Sequence, residues 1–269
     1  MKQVLEDWLA EDVGKGDFTS QAVVENSPCK ALVTGGPGII SGIQICKELL
    51  VKSNIKFKAF FDDGDNIDSE TSIFELEGNA HDILKTERLF LNILSHLSGI
   101  ATFTHSVVME AKKANPNVEI LATRKTIPGL RVLEKEAVLH GGGKTHRFRL
   151  DDAILIKDNH LKLANNIYDA VSQSRLKFPD LMIEVEADTP EQAIEAAKAD
   201  ADRVMLDNFT PELARKTIER LKQISDIEIE ISGGINLENI TEYSPYSNLI
   251  SLSGLTMSAP PVDFSLHVI

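Results

Sequence analysis

Basic residues concentrated between Ala122 and Lys162 form the part of this chain best suited to chemistry. The segment contains nine Lys and Arg residues against five Asp and Glu residues, whereas the whole chain has 28 against 41 and a net charge of −13. It also holds three of the seven histidines. Because a local positive potential in an acidic protein concentrates small anions, the segment predicts a focused anion-binding site and not a surface for polyanions.

The cations of this segment differ in their expected roles. Arg124, Arg147 and Lys157 border short apolar runs that are predicted strands, so we expect them to bind a ligand, with arginine forking onto a carboxylate or phosphate. His146 lies beside Arg147. From the residues alone, it could bind a ligand or could be a core histidine whose hydrogen bonds are made within the protein. Surface ion pairing is the expected role of Lys135, Lys144 and Arg149, with Lys135–Asp151 and Arg131–Glu134 as candidate pairs, and His140 and His160 are expected to be structural.

Acids and glycines follow the later predicted strands. Glu186 and Asp207 come at the ends of consecutive strands, where a pair of hard oxygen ligands suits Mg²⁺ shared with substrate, although ordinary loop acids remain an alternative. Ser232-Gly233-Gly234 leads towards a helix, and Ser253-Gly254 follows the last predicted strand. Backbone N–H groups at such turns bind phosphate, and the late loops of α/β barrels usually hold it.

The second half of the chain alternates strands with helices. This alternation predicts a parallel sheet, for which an incomplete or atypical (β/α) barrel is our first choice and a doubly wound open sheet the second. In a barrel the carboxyl ends of the strands meet on one face, which would bring the polar residues together. The predicted strands are Ile120–Ala122, Ala153–Ile156, Met182–Val185, Val204–Leu206, Ile227–Ile231 and Leu249–Ile250. The predicted helices are Ile167–Leu176, Pro190–Ala197, Pro211–Gln223 and Leu237–Tyr243.

The first hundred residues mix the two element types. Helices are predicted at Val4–Ala10 and Gln44–Lys52, and strands at Ala31–Thr34, Lys56–Phe61 and Ser72–Leu76. A long helix is predicted from about His81 to Ala114, because its apolar residues keep helical spacing. We expect Gly99 to kink or break that helix.

Composition narrows the function further. The acidic balance argues against a protein that binds nucleic acid or a membrane surface. Cys29 and Cys46 form no metal or redox spacing, and we find neither a signal peptide nor an apolar run long enough to span a membrane, so we expect a soluble cytoplasmic protein. Gly141-Gly142-Gly143 lacks the spacing of a nucleotide fingerprint, and no motif supports cofactor-dependent redox chemistry or a Ser or Cys nucleophile.

Several motifs together resemble the quinolinate phosphoribosyltransferase family, and the likeness runs nearly end to end. The first are EDVGKGDFTS at Glu11–Ser20 and ERLFLNILSHLSGIATFT at Glu87–Thr104. The central block comprises TRKTIPGLRVLEKEAV, GGGKTHR and LIKDNH. The later motifs are EVE at Glu184–Glu186, LDN at Leu206–Asn208, ISGGI at Ile231–Ile235 and the segment Ser251–Gly254.

This resemblance implies a two-domain protein. It divides the chain into an N-terminal α/β sandwich at 1–104, to which the tail 255–269 returns, and an incomplete α/β barrel at 105–254 that carries the active site. It also implies a homodimer with shared sites, in which Arg88 of one subunit reaches the other subunit's barrel. The implied reaction transfers phosphoribosyl from phosphoribosyl pyrophosphate to quinolinate with decarboxylation, and requires Mg²⁺.

The resemblance also implies roles for individual residues. Catalytic roles fall to Lys125, Lys157, Glu186 and Asp207. Quinolinate would be bound by Arg88 of the partner subunit and by Arg124, His146, Arg147 and Lys157. Phosphoribosyl and phosphate groups would be bound by Lys125, Glu186, Asp207, Ser232, Gly233, Gly234, Ser253 and Gly254, and Mg²⁺ by Glu186 and Asp207.

The chain departs from the family pattern at Ala122, Ile127, Glu136 and Thr145, where Asp, Thr, Tyr and Asn are usual. None of these changes removes a proposed binding charge, so we expect their effects in the surroundings of the site, such as the orientation of His146. Two alternatives remain: the related branch associated with molybdenum transport, and a non-catalytic ligand-binding protein. The intact run Lys157–His160 favours the quinolinate branch, and the retained charges favour an enzyme.

Overall fold

A computed structural model describes residues 2–269, which divide into two compact units. The first contains residues 2–103, Val132–Gly142 and Ala259–Ile269, and the second contains Thr104–Arg131 and Gly143–Ser258. The division expected from the sequence placed 132–142 with the barrel, whereas here this segment belongs to the first unit. No helix within 2–269 is both long and apolar enough to cross a membrane.

Helices and strands of both kinds make up the first unit. Its four-stranded antiparallel sheet has the order β13-β1-β5-β3, and a short pair joins β2 to β4. The C-terminal strand therefore lies beside the strand nearest the N-terminus. The elements are α1 (Lys2–Val13), α2 (Phe18–Val23), β1 (Pro28–Gly35), β2 (Gly38–Ile39), α3 (Ile43–Lys52), β3 (Lys56–Ala59), β4 (Asn66–Ile67), β5 (Thr71–Asn79), α4 (Ala80–Ala114, continuing into the second unit), α5 (Arg131–His140, whose first residue belongs to the second unit) and β13 (Phe264–Val268).

Gly99 does not break the long helix, contrary to our expectation, because α4 is continuous from Ala80 to Ala114. A Cβ atom at this position would lie 2.3 Å from the carbonyl oxygen of Pro260. The glycine therefore allows the backbone near the C-terminus to pass close to the helix, and this close packing offsets the lower helix propensity of glycine.

Two charged residues of α5 were wrongly expected at the surface. Glu134 and Lys135 are both 0% exposed. Glu134 accepts a hydrogen bond from His96 at 2.9 Å, instead of pairing with Arg131. A charged residue is buried only where its polar groups are paired, and that pairing depends on distant residues that a local charge pattern does not reveal.

The second unit is built on a parallel sheet of seven strands in the order β7-β6-β12-β11-β10-β9-β8. The sheet curls into a half-barrel, and its edge strands β7 and β8 do not pair with each other, which confirms the predicted incomplete barrel. The strands are β6 (Glu119–Ala122), β7 (Lys144–Thr145), β8 (Ile154–Ile156), β9 (Ile183–Ala187), β10 (Arg203–Asp207), β11 (Glu228–Ser232) and β12 (Leu249–Leu252). The helices are α6 (Asp158–Leu161), α7 (Ile167–Lys177), α8 (Pro190–Lys198), α9 (Pro211–Leu221), α10 (Ile240–Tyr243) and α11 (Gly254–Met257).

Local sequence explains why these strand–helix units form. Thr189 and Thr210 cap α8 and α9 by accepting hydrogen bonds from backbone N–H groups, and a proline follows each cap at the first helical position. Ile183, Val185 and Ala187 are fully buried along one face of β9, which α8 covers. Glu184 and Glu186 alternate with them and therefore point to the other face of the sheet. The predicted strands Ala153–Ile156, Met182–Val185 and Val204–Leu206 each match an observed strand to within two residues at either end.

Candidate active site

A cavity of about 440 Å³ lies at the carboxyl ends of the half-barrel strands. Its lining is dominated by charged and polar side chains, with Leu155 and Met205 as its apolar members. The polar lining residues are Thr123, Arg124, Lys125, His146, Arg147, Lys157, Glu186, Asp207, Glu230, Ser232 and Ser251. The half-barrel therefore brings together residues that are more than a hundred positions apart in the sequence.

Two arginines lie on one side of this cavity. Arg124 follows β6 and Arg147 follows β7, and these strands are neighbours in the sheet. Burial lowers the pKa of Arg147 below its usual value, and the positive charge of Arg124 lowers it further, although Glu184 and Asp152 act in the opposite direction. The Nε atom of Arg124 is buried without a hydrogen-bond acceptor among the described residues. An anion placed between the two arginines would offset their repulsion and satisfy this donor.

Arg131 holds the two loops that carry these arginines. Its Nε atom donates to the Thr126 hydroxyl at 3.1 Å, and an Nη atom donates to the carbonyl oxygen of Phe148 at 3.0 Å. Arg131 thus bridges the loop after β6 and the loop after β7, rather than forming the expected surface pair with Glu134. Its planar group with several donors suits this bridging.

Lys157 and Glu186 form an ion pair across the strands β8 and β9. The backbone N–H of Lys157 donates to the Nδ1 atom of His160 at 2.9 Å, which fixes the turn between β8 and α6. His160 therefore has a structural role, as expected. Lys162 adds a partly exposed pair with Asp158 at 2.7 Å, so its charge is directed to this turn.

Asp207 ends β10 beside the ion pair. Burial raises the pKa of its carboxyl group above the usual value, with Asp188 acting in the same direction and Lys157 and Lys125 opposing it. One oxygen accepts a hydrogen bond from the Asn208 side chain at 2.6 Å. A partly buried carboxylate surrounded by charges of both signs is suited to bind a cation or hydroxyl groups.

The turn after β11 packs tightly against the turn after β10. Asn208 donates its backbone N–H to the carbonyl oxygen of Ser232 at 2.9 Å. Gly233 has a φ of +84°, and a Cβ atom there would lie 2.3 Å from the Asn208 side-chain oxygen. Glycine is therefore required at this position both for its backbone conformation and for the close approach.

The residues predicted to bind phosphate lie at neighbouring strand ends. Ser232 lines the cavity, and Gly233 and Gly234 follow it directly, outside the lining set. Ser253 and Gly254 are outside that set too, at the start of α11. The Thr256 hydroxyl of α11 donates to the carbonyl oxygen of Lys125 at 2.6 Å. This bond links the last predicted phosphate turn to the loop that carries Arg124 and Lys125.

Arg88, the remaining predicted ligand, lies on α4 in the first unit and is exposed. Its predicted role concerns the partner subunit. Of the four departures from the family pattern, Ala122 and Thr145 are direct neighbours across β6 and β7, each two residues before a cavity arginine. Ile127 and Glu136 are exposed.

Four residues, two of which (His146 and Glu230) also line the cavity, form a charged group that sequence reasoning missed in part. We call His146, Glu184, Arg203 and Glu230 the inner cluster. The His146 Nε2 atom lies 2.7 Å from Glu184 Oε2 and 3.6 Å from Glu230 Oε2, and an Nη atom of Arg203 lies 3.3 Å from Glu230 Oε2. Both carboxylates are 0% exposed. The strand sequences IEVEA and EIEIS each have a glutamate at every second position, and this alternation could have indicated the two buried carboxylates.

Charge interactions inside the cluster are strong. Burial and the charge of Glu184 raise the pKa of Glu230 to about 7, against opposing effects of His146, Ser251 and Arg203. Burial acts to lower the pKa of Arg203, but Glu184, Glu228 and Glu230 together raise it above its usual value. Glu230 therefore gains and loses its proton near neutral pH, while Arg203 stays charged.

The inner cluster also has the donor types of a metal site. Ligand atoms of His146, Glu184 and Glu230 all lie within 4.8 Å of one another. However, the Arg203 guanidinium already supplies a positive charge beside Glu230 and would repel a cation. We therefore interpret this group as a hydrogen-bonded network.

Comparison with known proteins agrees with the predicted family. The model of the quinolinate phosphoribosyl transferase C-terminal domain matches residues 100–267, and that of the N-terminal domain matches residues 17–98. A probable nicotinate-nucleotide pyrophosphorylase [carboxylating] of Methanothermobacter thermautotrophicus is 40% identical, covering 100% of this chain and 99% of its own length. The human nicotinate-nucleotide pyrophosphorylase [carboxylating] is 34% identical, covering 98% of this chain and 90% of its own length.

Solved structures give the same result for the fold. The nicotinate-nucleotide pyrophosphorylase from Francisella tularensis superposes with a TM-score of 0.93 at 33% identity, covering 99% of this chain and 95% of that one. Two domain models that together match nearly the whole chain, and relatives similar over 90% or more of their own length, lead to one conclusion. This chain belongs to the quinolinate phosphoribosyl transferase family.

Proposed function

We propose that this protein transfers the phosphoribosyl group of phosphoribosyl pyrophosphate to quinolinate, forming nicotinate mononucleotide, pyrophosphate and carbon dioxide. The observation that carries the proposal is the pair Arg124 and Arg147, which line one cavity close enough for the charge of Arg124 to lower the pKa of Arg147 and which would bind an anion with two carboxylates. Relatives across the full length of the chain bear the name of this activity.

The dicarboxylate would lie against the arginine side of the cavity. Arg124 and Arg147 would bind its carboxylates, with Lys157 as a further positive charge. His146 has both ring nitrogens bonded within the protein, so its contribution would be to shape this side of the cavity. Leu155 and Met205 offer apolar surface for the pyridine ring.

The donor would occupy the side formed by β9, β10 and β11. Glu186 and Asp207 would hold the ribose hydroxyls and Mg²⁺, and the turn Ser232–Gly234 with Ser253 and Gly254 would bind the 5′-phosphate. Two carboxylates on neighbouring strands provide the hard oxygen ligands that Mg²⁺ prefers, and the raised pKa of Asp207 leaves room for a cation to stabilise its charged form. Bound Mg²⁺ would neutralise charge on the pyrophosphate.

Chemistry in this cavity requires positioning rather than a covalent protein intermediate. The lone pair of the pyridine nitrogen forms a bond to the ribosyl C1 atom while the bond from C1 to the pyrophosphate oxygen breaks, with its electrons passing to pyrophosphate. Loss of the carboxylate beside the ring nitrogen as carbon dioxide leaves an electron pair on that ring carbon, which then takes a proton. Glu186 and Asp207 would stabilise positive character at the ribosyl centre, and Lys125 the negative charge of the leaving group.

The assembly proposed for this reaction is a homodimer with shared sites. The exposed Arg88 of one subunit would complete the cation set around quinolinate in the other. Mixing Arg88→Ala with Arg147→Ala, each nearly inactive alone, should then restore part of the activity, because mixed dimers contain one intact site. Mixed dimers without any recovered activity would contradict the shared site.

The branch associated with molybdenum transport and a non-catalytic binding protein are the alternatives to exclude. The decisive assay supplies quinolinate, phosphoribosyl pyrophosphate and Mg²⁺ and measures nicotinate mononucleotide. Nicotinate, which lacks the second carboxylate, is the control acceptor and should be a poor one. Absence of product, or equal use of nicotinate, would overturn the proposal.

A further inference from the structure

His146 is bonded inside the protein through both nitrogens of its ring. The Nδ1 atom accepts a hydrogen bond from the backbone N–H of Arg147 at 2.9 Å, and Nε2 lies 2.7 Å from Glu184 Oε2. The residue is 8% exposed although it lines the cavity. Its polar atoms are therefore directed at the protein and not at a ligand.

These contacts define the protonation of His146. Because Nδ1 accepts a hydrogen bond, it carries no proton, and Nε2 must be the donor to Glu184. Glu184 thus selects the single tautomer in which His146 can hold the backbone of the residue that follows it.

Arg203 completes the arrangement from the other side. It contacts Glu230 at 3.3 Å, and Glu230 lies 3.6 Å from the ring of His146. Arg203 also bonds Glu228, which is half exposed, at 2.7 Å. Arg203 therefore pairs with one half-exposed and one buried carboxylate, and the buried one, Glu230, lies beside the His146 ring.

Arg147 is fixed at two points as a result. Its backbone N–H is held by His146, and an Nη atom donates to the carbonyl oxygen of Ala153 at 2.8 Å. We propose that Glu184 and Glu230 act as positioning residues, which hold His146 so that Arg147 presents its guanidinium group to the dicarboxylate acceptor. This inference rests on the proposed function and adds two residues that act through His146, of which Glu230 also lines the cavity and Glu184 does not.

The first experiment compares variants at Glu184 and Glu228. Glu184→Ala removes the acceptor of the His146 Nε2–H, and should raise the KM for quinolinate about tenfold, the equivalent of one hydrogen bond to a charged group. Glu228→Ala is the matched control. It likewise removes a carboxylate, but Glu228 is bonded to Arg203 and does not contact His146, so this variant should leave the KM for quinolinate unchanged. The KM for phosphoribosyl pyrophosphate should stay constant in both.

Conservative substitutions separate positioning from simple loss of folding. Glu184→Gln keeps an oxygen that accepts from His146, so it should restore quinolinate affinity to within about threefold of the wild type. Glu230→Gln keeps the shape of the side chain and is the second variant if Glu184→Ala does not fold. Direct titration of quinolinate into each protein checks that KM follows binding.

A double-substitution cycle tests the connection through Arg147. If the cluster acts by positioning Arg147, Glu184→Ala should weaken quinolinate binding much less in an Arg147→Lys background than in the wild type. Equal, additive losses in the two backgrounds would overturn the inference, as would a parallel rise of both KM values. If the wild type itself makes no nicotinate mononucleotide, the proposed function fails, and that outcome is distinct from either of these.

Discussion

Two sets of charges lie on the same strands of the half-barrel, and their surroundings are opposite. Glu184 and Glu186 are two residues apart on β9, and both face away from the helix-covered side. Glu184 is 0% exposed and belongs to the inner cluster, whereas Glu186 pairs with a lysine whose side chain is 41% exposed at the cavity. The same residue type thus has a structural or positioning role at one position and access to a ligand at the next.

The difference has a physical origin. Charges of the inner cluster face protein partners that offset part of the cost of their removal from water, although burial still raises the pKa of Glu230 to about 7. The cavity charges Arg124, Arg147 and Asp207 have incomplete compensation, as the lowered pKa of Arg147 and the raised pKa of Asp207 indicate. A charged group with a perturbed pKa at a cavity is one for which a bound ligand can supply the missing counter-charge or hydrogen bond.

The largest expected effect concerns the cavity charges. Arg147→Ala should lower kcat/KM for quinolinate by a factor that corresponds to about 2–5 kcal/mol, the usual loss when one partner of a charged hydrogen-bonded pair is removed. Because Arg147 is destabilised by burial and by Arg124, the free energy of unfolding should change by less than about 1 kcal/mol. Steady-state kinetics and urea denaturation measure the two. A large loss of stability would mean that Arg147 belongs with the inner cluster.

The next effect compares two glycines of the phosphate turn. Gly233→Ala and Gly234→Ala both place a side chain at positive φ, but only the first would clash, with Asn208. Gly234→Ala should cost about 1 kcal/mol of folding stability, and Gly233→Ala at least about 1 kcal/mol more. The KM for phosphoribosyl pyrophosphate should rise more for Gly233→Ala. Equal stability of the two variants would argue against the close contact of the turns.

A third pair of variants tests the two glutamates of β9 directly. Glu184→Ala should reduce the free energy of unfolding by about 1–3 kcal/mol, since it leaves a buried donor of His146 without its acceptor. Glu186→Ala should change stability by less than about 1 kcal/mol, because its lysine partner is partly exposed, while it abolishes most of the activity. Thermal and urea denaturation compare them. The contrast between the sets is lost if Glu186→Ala is the more destabilising change.

A fourth expected effect is a pH dependence within the inner cluster. The pKa of Glu230 is raised to about 7 in the folded protein from a usual value of 4.5, so the folded state binds a proton more tightly than the unfolded chain. The resulting stability is present below pH 4.5 and is lost as the pH rises through about 7. The free energy of unfolding of the wild type should therefore fall relative to that of Glu230→Gln between about pH 5 and 7.5. Denaturation of both proteins at matched ionic strength measures this difference. A constant difference would show that Glu230 is charged throughout.

Short-range patterns predicted much of the fold. The alternation of apolar runs with capped helices located β8, β9 and β10, and also α8 and α9, because period, caps and prolines are encoded within a few residues. Strands β7 and β13 and helix α5 were not predicted as elements. Strand β7 has only two residues, too few for a period, and its pairing comes from β6.

The site divides in the same way. Residues at the ends of predicted strands, such as Arg124, Lys157 and Asp207, could be assigned to one cavity because parallel strands direct their carboxyl ends to one edge. The inner cluster could not be assigned, although its alternating acids were visible. Whether such an acid lies in solvent or in the barrel depends on which segments close around it.

The sequence by itself determined the family, the parallel half-barrel and the charges available at its strand ends. Only the tertiary structure decided which of those charges are compensated: Lys135 and Glu134 are buried, Arg131 bridges two loops, and His146 is held by Glu184. The physical reason is range. Secondary structure follows from neighbours within a few positions, whereas burial and charge pairing arise between segments that are distant in the chain and meet only on folding.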